Sequence, residues 1–200
     1  QPQPLDPTSM AGQSADRALV ERVQAGDRRA FDLLVLKYQS RILKLIARYV
    51  RDPSEAQDVA QETFLKAYRA LPRFRGDAAF YTWVYRIAIN TSKNYLAAQS
   101  RRTPEGGFEP ADGESMSRDS RFEDLASPER IALKDEIQST LVSALDDLPS
   151  DLRVAVTLRE LDGMSYEEIA EAMDCPIGTV RSRIFRAREA INKRIDPLLD

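Results

Sequence analysis

Residues able to break bonds are few in this chain. It has no histidine and a single cysteine, Cys175. A zinc or haem site lacks its usual ligands, and a catalytic triad lacks its base. Carboxylates are plentiful, but no pair stands apart from the rest, and solvated surface acids are the plain reading. Neither a metal nor a cofactor is expected, and no enzyme activity. The chemistry that remains is recognition, and two stretches carry it. Near the C-terminus, Arg181, Ser182, Arg183, Phe185 and Arg186 set a phenylalanine among arginines. In FRGDAAFYTWVYR, five of thirteen residues are rings: Phe74, Phe80, Tyr81, Trp83 and Tyr85. Guanidinium forks suit guanine edges and phosphates, and rings suit thymine methyls or unstacked bases.

The charge is distributed to match. A net charge of −3 over 200 residues argues weakly against a polyanionic partner, but it averages two opposite halves. Thr103–Pro128 has seven acids against two arginines, net −5. Pro176–Arg194 has six bases against Glu189 alone, net +5. The last helix is a basic element in an acidic protein.

Apolar residues recur at helical spacing along both halves, with no strand-like alternation. The spacing predicts helices over about Ala18–Ala25, Arg28–Val50, Pro53–Leu71 and Ala78–Ala98, with Asp77 as N-cap of the last. QPQPLDPTS ahead of Met10 reads as a remnant of an artificial leader and is set apart as residues 1–9. Residues 10–102 then form one all-α domain. Residues 103–128, rich in Gly, Pro, Ser and acids, have almost nothing to bury and read as a flexible linker. Its span is about 28 Å as a random coil and roughly 85 Å extended. Helical periodicity resumes over 129–200, a second all-α domain. No membrane span or signal segment is visible and the lone cysteine implies no oxidising compartment, so a cytoplasmic protein is expected.

In LDGMSYEEIAEAMDCPIGTVRSRIFRAREAI, Ser165 and Glu168 make a capping box. A short helix from Tyr166 to about Asp174 should bury Ile169, Ala170 and Met173. A tight turn and a second helix from about Ile177 complete a helix-turn-helix layout. Ile177, Val180, Ile184, Ala187 and Ile191 form the expected buried stripe of the second helix. The opposite side carries Gly178, Arg181, Ser182, Phe185, Arg186 and Glu189. Pro176 stands where a Ser or Thr cap would be usual. A basic amphipathic helix with a merely solvated face is the bland alternative.

On Pro53–Leu71, Ala60, Phe64, Ala67, Tyr68 and Leu71 are expected to face the core. Asp58, Gln61, Glu62, Leu65 and Arg69 make a second stripe, which suits either partner docking or solvation. On the next helix, at about 100° per residue, Phe80, Val84, Ile87, Ala88, Thr91 and Tyr95 share the core arc. Trp83, Arg86, Asn90 and Lys93 lie elsewhere, and Tyr81 and Tyr85 are expected to be partly exposed. These rings are either a stacking surface beside bases or part of a tight core.

Taken together, LVERVQAGDRRAFDLLVLKYQ, EAQDVAQETFLKAYRAL, FRGDAAFYTWVYRIAINTSKNYL and LPSDLRVAVTLRELDGMSYEEIAEAMDCPIGTVRSRIFRAREAI resemble the extracytoplasmic-function group of sigma-70 family RNA polymerase sigma factors, and closely its sigma-E envelope-stress branch. The resemblance implies a region 2 domain over 10–102 and a region 4 domain over 129–200. It implies core RNA polymerase, through its largest and second-largest catalytic subunits, as partner, with Asp58, Gln61, Glu62, Phe64, Leu65, Lys66, Tyr68 and Arg69 docking on the largest. Phe74, Arg75, Gly76 and Asp77 would capture a flipped base of the −10 element, with Tyr81, Trp83, Tyr85, Arg86, Asn90 and Lys93 along the single-stranded path. Gly178, Thr179, Arg181, Ser182, Arg183, Phe185 and Arg186 would engage duplex DNA at −35. A membrane-anchored anti-sigma factor, holding the protein at the inner face of the membrane, is implied as a further partner, and no small-molecule substrate. A stand-alone helix-turn-helix regulator with a helical sensor or dimerisation half is the alternative, and an adaptor that binds only proteins is a second.

Overall fold

Helix starts are set by acids placed just ahead of the apolar runs. Asp27 accepts from the Arg29 amide at 3.0 Å, and Asp52 from the Glu55 amide at 2.9 Å, with Pro53 in the first turn that follows. Each side-chain oxygen satisfies an amide that has no partner inside its helix. Ahead of Asp27, Gly26 has φ +98°, a conformation that glycine adopts at little cost, and this turns the chain out of the first helix. The Arg22 guanidinium, 2.6 Å from Asp27, holds that carboxyl below its usual range.

The computed structural model describes residues 7–102 and 128–199, which contain helices and turns and no strand. Along the chain, α1 is Pro7–Gln24, α2 Arg28–Ala47, α3 Pro53–Ala70, a 3-10 turn Leu71–Arg73, and α4 Phe80–Arg102. After the expected linker, 103–127 of which lies outside the described residues, come α5 Pro128–Asp146, α6 Ser150–Glu160, α7 Tyr166–Met173 and α8 Ile177–Leu199. Helices α1 to α4 belong to one compact unit; α5, α6, the first turn of α7 and α8 belong to a second. Of the expected leader remnant, residues 1–6 lie outside the described residues and Pro7–Ser9 begin α1.

The first helix is longer than its apolar spacing predicts because a polar contact holds its middle. Asp16 is 2% exposed and accepts from both the Lys37 ammonium and the Tyr38 hydroxyl of α2. A carboxylate so enclosed must be paired to be tolerated. Burial, and then the Asp16 carboxylate, push the Tyr38 phenol well above its usual range.

Leu34, Ile42, Leu45 and Ile46 of α2, Val59 of α3, Leu71, and Val84 and Ile89 of α4 fill the core of this unit. Two expectations about facing directions change. On α3 the buried residues are Ala56, Val59, Thr63 and Ala67, while Ala60 and Phe64 are half-buried and Tyr68 is exposed. On α4, Tyr85 is 2% exposed rather than solvent-facing, and Thr82, Ile89 and Ser92 are buried with it. The cause is the number of neighbours: α4 packs against α1, α2 and α3, so most of its circumference is covered. Ile87 and Tyr95, expected in the core, are half-buried on the remaining arc.

In the second unit α8 packs against α5 and α6. Leu148, Val156 and Ala187 are buried together, with Leu145, Leu152 and Ile191 against them. The Arg153 guanidinium donates to the Leu145 and Leu148 carbonyls, both at 2.9 Å, and so ties α6 to the end of α5 and the turn that follows it. The capping box forms reciprocally: the Ser165 amide is 2.8 Å from the Glu168 carboxylate and the Glu168 amide 3.1 Å from the Ser165 hydroxyl. Ile169 and Met173 are buried and Ala170 half-buried. Asp174, at φ +52°, occupies the left-handed region and turns the chain between α7 and α8; aspartate enters that region more readily than most residues. The carbonyl of Pro176 accepts from the Thr179 and Val180 amides at 2.9 and 3.2 Å, so the backbone opens α8 without a side-chain cap.

Replacing Ser165 by Ala is expected to lower stability by about 1 kcal/mol; an unchanged urea midpoint would refute the capping role. The Tyr38 phenol keeps its proton in the fold when the unfolded chain loses it near pH 10. The unfolded state then binds fewer protons, so stability falls as pH rises from there. Tyr95, pushed up to about 12 by burial and a bond to Glu55, adds in the same direction. Tyr38→Phe should flatten the alkaline fall in unfolding free energy; an equally steep fall would contradict this.

Candidate nucleic-acid interface

The exposed face of α8 is assembled by what lies beneath it. Val180, Ile184 and Ala187 are 0–2% exposed and fix the helix's rotation, which leaves Phe185 68% exposed. Gly178, Arg181, Ser182 and Arg186 are exposed on the same side, and Thr179 is half-buried at the first turn. The Ser182 hydroxyl donates to the Thr179 carbonyl at 2.9 Å and presents its lone pairs outward. An apolar ring held in water between arginines gains nothing from folding and suits an apolar contact with a ligand.

Two residues, one assigned by the resemblance and one by spacing, do not sit as expected. Arg183 is turned inward: its guanidinium lies 2.7 Å from the Asp151 carboxylate of α6 and 3.4 Å from the Cys175 sulfur. It holds α8 to α6 and is not part of the outward face. Ile177, expected in the buried stripe, is 37% exposed. The ion pairs that fasten α8 to α6 and to the segment joining α5 to α6 run from Arg183 through Arg188 to Arg194, so the helix's first residue lies ahead of that stretch.

In the first unit the candidate residues Phe74 to Asp77 sit on a loop braced by rings. Phe74 lies 4.8 Å from Trp83 and edge-on to Phe80 at 6.3 Å, and Phe80 is 5.6 Å from Tyr38 in the core. Such ring pairs add stabilisation beyond the area they bury. Trp83 is therefore half-buried beneath Phe74 rather than free. Tyr81 is half-buried against Tyr85, which is itself enclosed. Arg75, Gly76 and Asp77 project from the loop, with Gly76 at φ +77° making its turn. That turn carries Asp77 away from the helix: α4 starts at Phe80, and the Ala79 carbonyl accepts from the Trp83 amide at 3.1 Å. Asp77 is not the N-cap. Arg86 and Asn90 are exposed on α4, and Lys93 is half-buried.

Gln24 stands out by no local pattern. From the end of α1 its side-chain amide donates to the carbonyls of Leu71, at 3.0 Å, and Phe74, at 2.9 Å. Two carbonyl acceptors fix the amide's orientation, and the loop's base is tied across some fifty positions of sequence. An open cleft of about 510 Å³ lies between α1 and this loop, with Gln13, Arg17, Arg75, Asp77 and Phe80 in its walls. Its size is in the range of sites for small organic groups.

On α3 the second stripe faces solvent: Asp58, Gln61, Glu62 and Arg69 are exposed, with Leu65 52% exposed. Three further residues assigned to docking are occupied within the unit. Lys66 pairs with Glu62 at 2.8 Å and reaches Thr91, Tyr68 packs on the Phe31 ring at 4.9 Å, and Phe64 is half-buried. Among the described residues no cluster of His, Cys, Asp and Glu fits a metal ion, and no helix is long and apolar enough to cross a membrane.

Known proteins match both units. Residues 34–102 match the family described as Sigma-70 region 2, and residues 139–191 that described as Sigma-70, region 4. The chain is 62% identical over 190 residues to the RNA polymerase sigma-H factor of Pseudomonas aeruginosa, covering 95% of this chain and 98% of that one. It is 54% identical over 191 residues to the ECF RNA polymerase sigma-E factor of Escherichia coli K12, covering 95% and 99%. The fold resembles that of CnrH in complex with the cytosolic domain of CnrY, at a TM-score of 0.62 and 24% identity over 92% of this chain and 98% of that one. A match along both halves is not what a stand-alone regulator with an unrelated sensor half would give. The chain belongs to the sigma-70 family of RNA polymerase sigma factors, in its extracytoplasmic-function group, and is an alternative sigma factor of transcription initiation.

Proposed function

We propose that, bound to core RNA polymerase, this chain recognises a promoter at two separated places and opens it at one of them. Residues 10–102 act as the region 2 domain and 129–200 as the region 4 domain, joined through 103–128. The observation that carries the reading is Phe185, 68% exposed between Arg181, Ser182 and Arg186 on a helix whose rotation is locked by its buried side. Arg181 and Ser182, near the helix start, meet base edges of the −35 duplex, Phe185 meets a thymine methyl or sugar, and Arg186 meets phosphate. Arg183 supports this face through Asp151 rather than touching DNA.

At −10, Phe74 to Asp77 take an extruded base, and Arg86 and Asn90 follow the unpaired strand. Unstacking a base costs a few kcal/mol, offset by contacts in the pocket and by anchoring at two DNA sites on one polymerase. Trp83 and Tyr85 act as struts behind the loop and α4, a role their burial supports better than direct stacking. Asp58, Gln61, Glu62, Leu65 and Arg69 dock on the largest polymerase subunit. The chain performs no bond chemistry and needs no cofactor. An anti-sigma factor restrains it in the cytoplasm, at the membrane where that factor is anchored. The genes served are those of an envelope-stress response.

With purified chain and sigma-free core polymerase, Asn90→Ala is expected to weaken strand opening, read by permanganate footprinting, while co-elution with core is unchanged; normal opening would sink the −10 assignment. Arg186→Ala should weaken binding across all −35 sequences and lower the salt slope by about 1. A change confined to one base position would instead make it a base-reading residue. Asp58→Ala combined with Gln61→Ala should reduce co-elution with core, and full retention would count against α3 as the docking surface.

A further inference from the structure

We propose that Tyr166 is a positioning residue for base readout: its ring holds the Arg181 guanidinium ready for the duplex, resting on the reading of α8 as the helix that enters the groove. Arg159 from α6 and Arg181 from α8 both lie over this ring, at 4.9 and 5.8 Å from its centroid. Tyr166 is itself well fixed. It opens α7 directly after the Ser165–Glu168 capping box. Arg159 is fixed too, donating to the Met164 carbonyl at 2.8 Å. Helices α6 and α8 are clamped beside it by Arg188 and Glu160, whose Nε to carboxylate distance is 3.2 Å. The ring therefore stands on a rigid frame built from three helices.

Arg181 differs from its neighbours in how it is held. Arg183, Arg188 and Arg194 of the same helix each pair with an acid, Asp151, Glu160 and Asp147. Arg181 has no acid partner among the described residues; its described partner is the ring. The chemical difference is large. A carboxylate consumes the N–H donors of a guanidinium, whereas a ring attracts its cationic face and leaves the in-plane donor fork open. That fork is the group that reads guanine O6 and N7. Ordering the long side chain beforehand removes part of the entropy it would lose on binding. Two guanidinium groups over one ring also repel each other, and an approaching electronegative base edge relieves that repulsion.

The test uses holoenzyme made from the full chain and sigma-free core polymerase, on promoters randomised over the −35 element, with transcripts sequenced. Arg181→Ala should flatten base preference at one or two positions. Tyr166→Leu should reduce discrimination at those same positions by about 2- to 5-fold, and Tyr166→Phe should retain it. The double variant should discriminate no worse than Arg181→Ala alone. Because no charge is removed, the salt slope of Tyr166→Leu should match the parent. A loss spread evenly over all positions, no loss, or a loss additive with Arg181→Ala overturns the proposal. Should thermal unfolding show that Tyr166→Leu is not folded, Tyr166→Met is read in the same way. Unchanged preferences in Arg181→Ala would instead refute the readout role of α8, and the proposal would fall with it.

Discussion

The burial of Val180, Ile184 and Ala187 is the constraint on which the C-terminal unit's work depends. A helix presents different residues at every rotation, and only a locked rotation makes one face a recognition surface. At 0–2% exposure these three side chains cannot turn outward without opening the core. Phe185 is exposed for the same reason that Ile184 is buried. The capping box at Ser165 opens α7, and the left-handed residue Asp174 follows its end.

The first unit solves a related problem with a loop, which has no period to lock. Residues 74–79 are fastened at several points. Gln24 binds the carbonyls of Leu71 and Phe74, Phe74 rests on Trp83 and Phe80, and Phe80 reaches Tyr38 in the core. Tyr38 in turn donates to the enclosed Asp16 of α1. The loop is thus supported by aromatic contacts that end on a buried carboxylate, and only its tip projects. A site on a loop so braced approaches the rigidity of one on a helix.

Charge is managed with similar economy. The basic helix α8 would repel itself in isolation, yet Arg183, Arg188 and Arg194 are paired with acids from α6 and from the segment joining α5 to α6. Those pairs fasten the helix and leave Arg181 and Arg186 as the outward positive charges beside Phe185. Exposed ion pairs add little stability each; their larger effect here is to separate the arginines that fasten the helix from those that face solvent.

Helix positions, the capping box and the outward set at Arg181, Ser182, Phe185 and Arg186 were legible in the sequence, because they follow from local chemistry and a single period. Family motifs were legible for the same reason, being short, contiguous and ordered. Misreadings arose wherever a residue's surroundings came from distant parts of the chain. Tyr85 was assigned to solvent because phase assumes one packed side, whereas α4 has neighbours on three. The inward turn of Arg183 was hidden because its partner Asp151 is thirty-two positions away. Gln24, Tyr166 and the extent of α1 carried no local signal at all. The sequence by itself determined which segments are helices and which chemistry their exposed faces offer. Tertiary structure alone decided which arginines are paired, which rings are buried and where the loop is held, since those depend on contacts between residues that spacing along the chain does not relate.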